Sequence, residues 1–72
     1  SEDFIYSTGP SLGAHTACHI EGYDALGRMT LATQPIAAGE IWDTPRLSGS
    51  FFIRATVAGQ PSQIIRVGSV TD

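Results

Sequence analysis

Glycine and proline punctuate this chain so closely that no stretch of a dozen residues is free of both. Gly9-Pro10, Gly13, Gly22, Gly27, Pro35, Gly39, Pro45, Gly49, Gly59, Pro61 and Gly68 leave at most nine residues between neighbours. Both residues are poor in a helix interior, proline because it lacks the N–H and glycine because it surrenders too much backbone freedom. A long helix therefore has nowhere to form. The runs between the breaks are rich in Ile, Val, Thr and Phe, side chains suited to a pleated, half-buried surface. The prediction is an all-β domain of five or six short antiparallel strands, arranged as a small barrel, a β-clip-like unit or a partial sandwich.

Two segments carry this reading most clearly. In 50–57, Phe51, Ile53, Ala55 and Val57 alternate with Ser50, Phe52, Arg54 and Thr56, the period of a strand with one buried face. Ala58-Gly59-Gln60-Pro61 then turns the chain into 63–67. A three-residue loop, Gly59 to Pro61, would set Ile53 opposite Val67, Ala55 opposite Ile65 and Val57 opposite Gln63, with Ile53 and Ile65 in the core. A two-residue loop would put Ile53 opposite Arg66, and a one-residue slip sends every side chain to the wrong face.

The second segment, 15–34, folds about Asp24-Ala25-Leu26-Gly27. Aspartate opens such turns by accepting backbone hydrogen bonds, and Gly27 supplies a positive φ. Closing that loop tightly pairs Tyr23 with Arg28, Gly22 with Met29, Ile20 with Leu31 and Cys18 with Thr33. Tyr23, Glu21, His19 and Arg28 then share a face, where the Arg28 guanidinium can rest on the Tyr23 ring. Elsewhere, Ile41-Trp42 reads as a short strand, 44–49 as a loop and Phe4-Ile5-Tyr6 as a peripheral strand or extended arm. A glycine-rich loop follows that segment as far as Gly13.

At 72 residues the chain has room for one domain, 1–72, with residues 1–13 able to form an N-terminal arm. So short a domain has a thin stability margin and usually adds a disulfide, a metal or a partner. Cys18 is the single cysteine, so no internal disulfide can form. His15, Cys18 and His19 would share a face on a helix. On a strand Cys18 points away from both histidines, which stand about 13 Å apart, too far for one metal ion. The reading is a buried cysteine with exposed histidines: no metal, no cofactor. His19 and Glu21 could orient an imidazole, but no matched nucleophile, oxyanion loop, Gly-x-Ser-x-Gly or phosphate-binding glycine motif accompanies them. The expectation is not an enzyme.

Seven acids against four basic residues, all arginine (Arg28, Arg46, Arg54, Arg66), give a net charge of −3. Scattered arginines on an acidic chain offer no footprint for nucleic acid. No apolar run approaches the ~20 residues of a membrane span, and no charged-then-apolar signal segment opens the sequence. Charged residues make up 15% of the chain, and lysine is absent. Sheet edges thus lack the lysines that β proteins commonly use against edge-to-edge pairing.

Tyr23-Asp24-Ala25-Leu26-Gly27-Arg28-Met29 resembles the Tyr-Asp-x-x-Gly-Arg-Leu hairpin of YD (RHS-type) repeats, which build large β shells. It covers seven residues, in one copy. Ala32-Thr33-Gln34-Pro35-Ile36-Ala37-Ala38-Gly39-Glu40-Ile41 is similar to the strand–turn–strand of small β-clip domains, among them SAF-type modules and some phage capsid-decoration proteins. Both resemblances imply β structure, and neither carries site residues to this chain.

Small size, no internal disulfide, sparse charge and edges without lysine lead to one functional expectation. The chain is a structural subunit or accessory packed against other protein chains, for example decorating a virion shell or contributing to a cell-surface structure. A virion or extracellular setting is favoured over the cytoplasm. Phe4, Ile5, Tyr6, Phe51 and Phe52 are the candidate interface, exposed aromatic residues being enriched at interface hot spots. The alternatives are an immunoglobulin-like binding module using loops 7–14 and 44–49, and a small metal or redox protein built on His15, Cys18 and His19.

Overall fold

The computed structural model describes residues 3–47 and 49–67. The chain is all-β, with seven strands in two antiparallel sheets. The strands are β1 (Ile5–Thr8), β2 (Ser11–Ala14), β3 (Cys18–Tyr23), β4 (Met29–Ile36), β5 (Ile41–Trp42), β6 (Phe52–Thr56) and β7 (Gln63–Arg66), with a 3-10 helix at Thr44–Leu47. Sheet A has the order β1-β2-β5 and sheet B the order β4-β3-β6-β7. The two face each other as an open partial sandwich rather than a closed barrel. Ile5, Leu12, Ala14 and Trp42 from sheet A meet Cys18, Ile20, Ile36, Ile53 and Ala55 from sheet B in one buried cluster, with Leu47 and Val67.

The extra strands come from the N-terminal segment. Residues 7–14, expected as a loop, hold the turn and second strand of a hairpin, Ile5↔Ala14 to Thr8↔Ser11, turning at Gly9-Pro10. Residues 5–14 therefore lie in a sheet, not in an arm. Ala32 to Ile41, the stretch similar to a β-clip strand–turn–strand, crosses between layers: its first strand is β4 of sheet B and its second β5 of sheet A.

The β3–β4 hairpin forms about the expected turn, and Gly27 has φ +86°. Asp24 Oδ1 accepts from the N–H groups of Leu26 and Arg28, each at 2.9 Å. The register differs from the tight pairing. Tyr23 faces Met29, Gly22 faces Leu31, Ile20 faces Gln34 and Cys18 faces Ile36, with shifts between Ile20 and Gly22 and between Gly22 and Tyr23. Leu31 and Ile36 explain this. They are five apart, so strict alternation would turn one of them outward. An irregularity that adds a residue to β4 restores the phase, and both point to the core side.

In the β6–β7 hairpin the expected faces hold and the pairing moves by two residues: Ile53 faces Ile65, and Ala55 faces Gln63. Strand β6 ends at Thr56, and the chain turns with the Gln60 N–H donating to Val57 O at 3.1 Å. The connection is thus longer than three residues. Ile53 is fully buried, and Ile65 packs half-buried against the cluster.

The strand edges lack lysine, yet they are not open. β4 carries Pro35 and the register shifts, both of which spoil an edge for further pairing. β5 is two residues long. At the β1–β7 corner the Gln63 side chain accepts from the Phe4 and Ile5 N–H groups at 2.7 and 3.0 Å and donates to Ile5 O at 3.0 Å. One side chain there takes the place of a strand ladder.

Candidate functional site

Since the inner faces of both sheets meet the core, their outer faces lie on opposite sides of the molecule. The outer face of sheet B is the richer. Residues paired across strands share a face, so the registers order it in rows. Met29, Tyr23, Phe52 and Arg66 form the first, from β4 to β7. Glu21, Arg54 and Ile64 form the next, with Thr33 bonded to Glu21 at its β4 end. Pro35, His19 and Thr56 form the third. The first row is apolar and aromatic up to Arg66, and the second is an ion pair flanked by Ile64. Met29 is 54% and Ile64 63% exposed, and a shallow depression of about 320 Å³ lies between Tyr23, Gly27, Phe52, Arg54 and Ile64.

Polar contacts hold this face rigid. Arg54 donates from Nη2 and Nε to Glu21 Oε1 at 2.6 and 3.0 Å, and Tyr23 OH donates to the same oxygen at 2.6 Å. Thr33 OH donates to Glu21 Oε2 at 2.8 Å. With both oxygens engaged, the Tyr23 and Thr33 hydroxyls and the Arg54 guanidinium hold the Glu21 carboxyl down at about 2. Glu21 in turn pushes the Tyr23 phenol and the Arg54 guanidinium above their ordinary values. Oε1 accepts three of these bonds and Oε2 one, and together they fix the Tyr23 ring and the Arg54 stem on this face.

The arginine beside Tyr23 is not the expected one. Arg28 turns back to Asp24, Nε to Oδ2 at 3.2 Å, and Arg54 stands over the ring at 5.8 Å. The turn, one residue longer than expected, carries Arg28 out of the row that Met29 enters. Phe51 precedes the strand instead of lying within it; it packs edge-on against Phe52 with centroids 4.9 Å apart, both half-buried, and Arg66 lies 5.4 Å from its ring.

The other candidate residues scatter. Ile5 is fully buried in the chain's own core, so it offers no surface in this conformation. Phe4 is half-buried against that core. Tyr6 lies on the outer face of sheet A, across Gly13 from Ile41, and stacks on His15 at 4.3 Å. Cys18 is buried, which raises its thiol pKa, while His15 and His19 are exposed. Among the described residues no three His, Cys, Asp or Glu side chains could hold one metal ion. A second, wider depression of about 540 Å³ runs from Ala17 past His19 and Pro35 to Val57, with Glu40 at its side. The Ala37 N–H holds Glu40 below its usual range, and it reaches Arg46 at 3.7 Å.

Met29, Ile64 and the Glu21–Arg54 pair did not emerge as a site from the sequence, because their grouping depends on register. The alternation itself was the available signal: it placed Glu21 and Tyr23 on one face of their strand, and Arg54 and Phe52 on one face of theirs.

No helix among the described residues is long and apolar enough to cross a membrane. Comparison of the chain with protein-family models, with characterised proteins and with solved structures gives no match.

Proposed function

We propose that this chain is a non-enzymatic structural subunit that packs against other protein chains through the outer face of sheet B. The supporting observation is the pair of rows in which Met29, Tyr23, Phe52 and Ile64 surround the Glu21–Arg54 ion pair. Aromatic residues, Met and Arg are enriched at protein interfaces. Covering the Glu21–Arg54 pair leaves neither charge unpartnered, because each stays bonded to the other. The protected edges favour contact through a face over strand addition. Decoration of a virion shell or of a cell-surface structure is the setting we propose within this class, on the grounds of small size and sparse charge.

The test is sedimentation over a wide concentration range, comparing the wild-type chain with Met29→Ser combined with Ile64→Ser. Both sites are exposed, so the fold should keep its melting temperature. The expected result is a wild-type mass that rises with concentration and a variant that remains monomeric. A wild-type chain that stays monomeric at high concentration, captures no protein partner and matches the variant throughout would reject the reading. That outcome would favour the loop-based binding module.

A further inference from the structure

We infer that the partner of this face is a second copy of the chain, docked head to tail: the outer face of sheet B on one copy meets the outer face of sheet A on the next. This rests on the assembly reading above and adds the partner and its orientation.

The two outer faces are complementary. On sheet A, the row Tyr6, Gly13, Ile41 is also apolar, with Ile41 58% exposed and Gly13 covered by the Tyr6 ring. Asp43 follows Ile41 by two residues and is exposed. The first row of sheet B ends on the exposed Arg66. Among the described residues neither Asp43 nor Arg66 takes part in an ion pair, whereas Arg28, Arg46 and Arg54 each do. Sheet B and its β3–β4 turn carry Arg28, Arg54 and Arg66 against Glu21 and Asp24, an excess of positive charge. On the sheet A side, Asp43 is the exposed acid beside Ile41, and Glu40 is already paired with Arg46.

Each face carries an apolar row, and Arg66 on one and Asp43 on the other are of opposite sign, so the two faces complement each other. Docking sheet B on sheet B offers Arg66 no comparable acid, since Glu21 and Asp24 are already paired within the chain. A head-to-tail contact is heterologous. It generates a ring where the rotation between copies closes and a filament where it does not.

The experiment is sedimentation equilibrium at low salt on the wild type, Arg66→Glu, Asp43→Arg and an equimolar mixture of the two variants. Each reversal alone should weaken association by about tenfold or more, because it sets like charges face to face. Mixing should restore it, since Glu at 66 on one chain then meets Arg at 43 on the other, and Arg66 of the second meets Asp43 of the first. If a reversal disturbs melting, Arg66→Gln and Asp43→Asn replace it, each expected to weaken association less. Three results overturn the inference: a mass insensitive to both reversals, a mixture that fails to recover, or Arg66→Glu binding wild type more tightly than wild type binds itself. The last would show a face-to-face dimer. Any of these, with the Met29 and Ile64 variant still monomeric, leaves the assembly reading in place and removes only the head-to-tail partner.

Discussion

Gln63 and Ile5, 58 residues apart in the chain, are joined as two strand residues would be: the Gln63 amide accepts from the Ile5 N–H and donates to the Ile5 carbonyl, both at 3.0 Å. The same amide oxygen accepts from the Phe4 N–H at 2.7 Å. This contact closes one corner between the sheets.

Gln63→Ala should destabilise the fold by about 1–3 kcal/mol, because it strands backbone donors and an acceptor beside a buried strand. Gln63→Glu keeps the acceptor and loses the donor to Ile5 O, so it should also be destabilised. Urea midpoints measure both effects, and hydrogen exchange at the Ile5 amide should quicken in the alanine variant. An unchanged midpoint in Gln63→Ala would show that the corner is held by apolar packing alone.

Stability should fall in acid through Glu21. Its carboxyl is lowered from the ordinary 4.5 to about 2, so the folded chain takes up this proton less readily than the unfolded chain. The contribution is complete above the unfolded value and is lost as the pH falls from about 4.5 towards 2. Asp24, lowered first by the Arg28 N–H, and Glu40, lowered first by the Ala37 N–H, act in the same direction. Glu21→Gln should therefore flatten the acid decline in melting temperature without abolishing it. A variant whose acid slope matched the wild type would contradict the role of this pair.

Gly13 has its place because the Tyr6 ring lies on it: a Cβ there would run into the ring and hydroxyl of Tyr6. Gly13→Ala should push the Tyr6 ring aside and weaken its stack on His15, at a cost of about 1 kcal/mol. Combining it with Tyr6→Ala should cost less than the two separate losses added, since the clash disappears with the ring. Strict additivity in this double-mutant cycle would place the strain elsewhere.

The sequence by itself determined the class of fold, the position of the later strands and the buried side of β3, β6 and β7, while β4 turns Met29 and Thr33 outward against the expected pairing. Those properties are local. Glycine and proline spacing forbids long helices, period-two alternation marks Ile53 and Ala55 as inward, and Asp24 with Gly27 makes a turn from its own backbone chemistry. Tertiary structure decided the registers and everything that depends on them. Leu31 and Ile36 can both reach the core only through an irregular β3–β4 pairing, and that pairing brings Met29, not Arg28, beside Tyr23. The glycine-rich 7–14 segment carries little apolar signal of its own. It becomes the turn and second strand of a hairpin because β1 and β5 flank β2 and Leu12 finds the common core. The Gln63 contact was illegible for the same reason, since a side chain's partner 58 residues away is set by packing that no local pattern encodes.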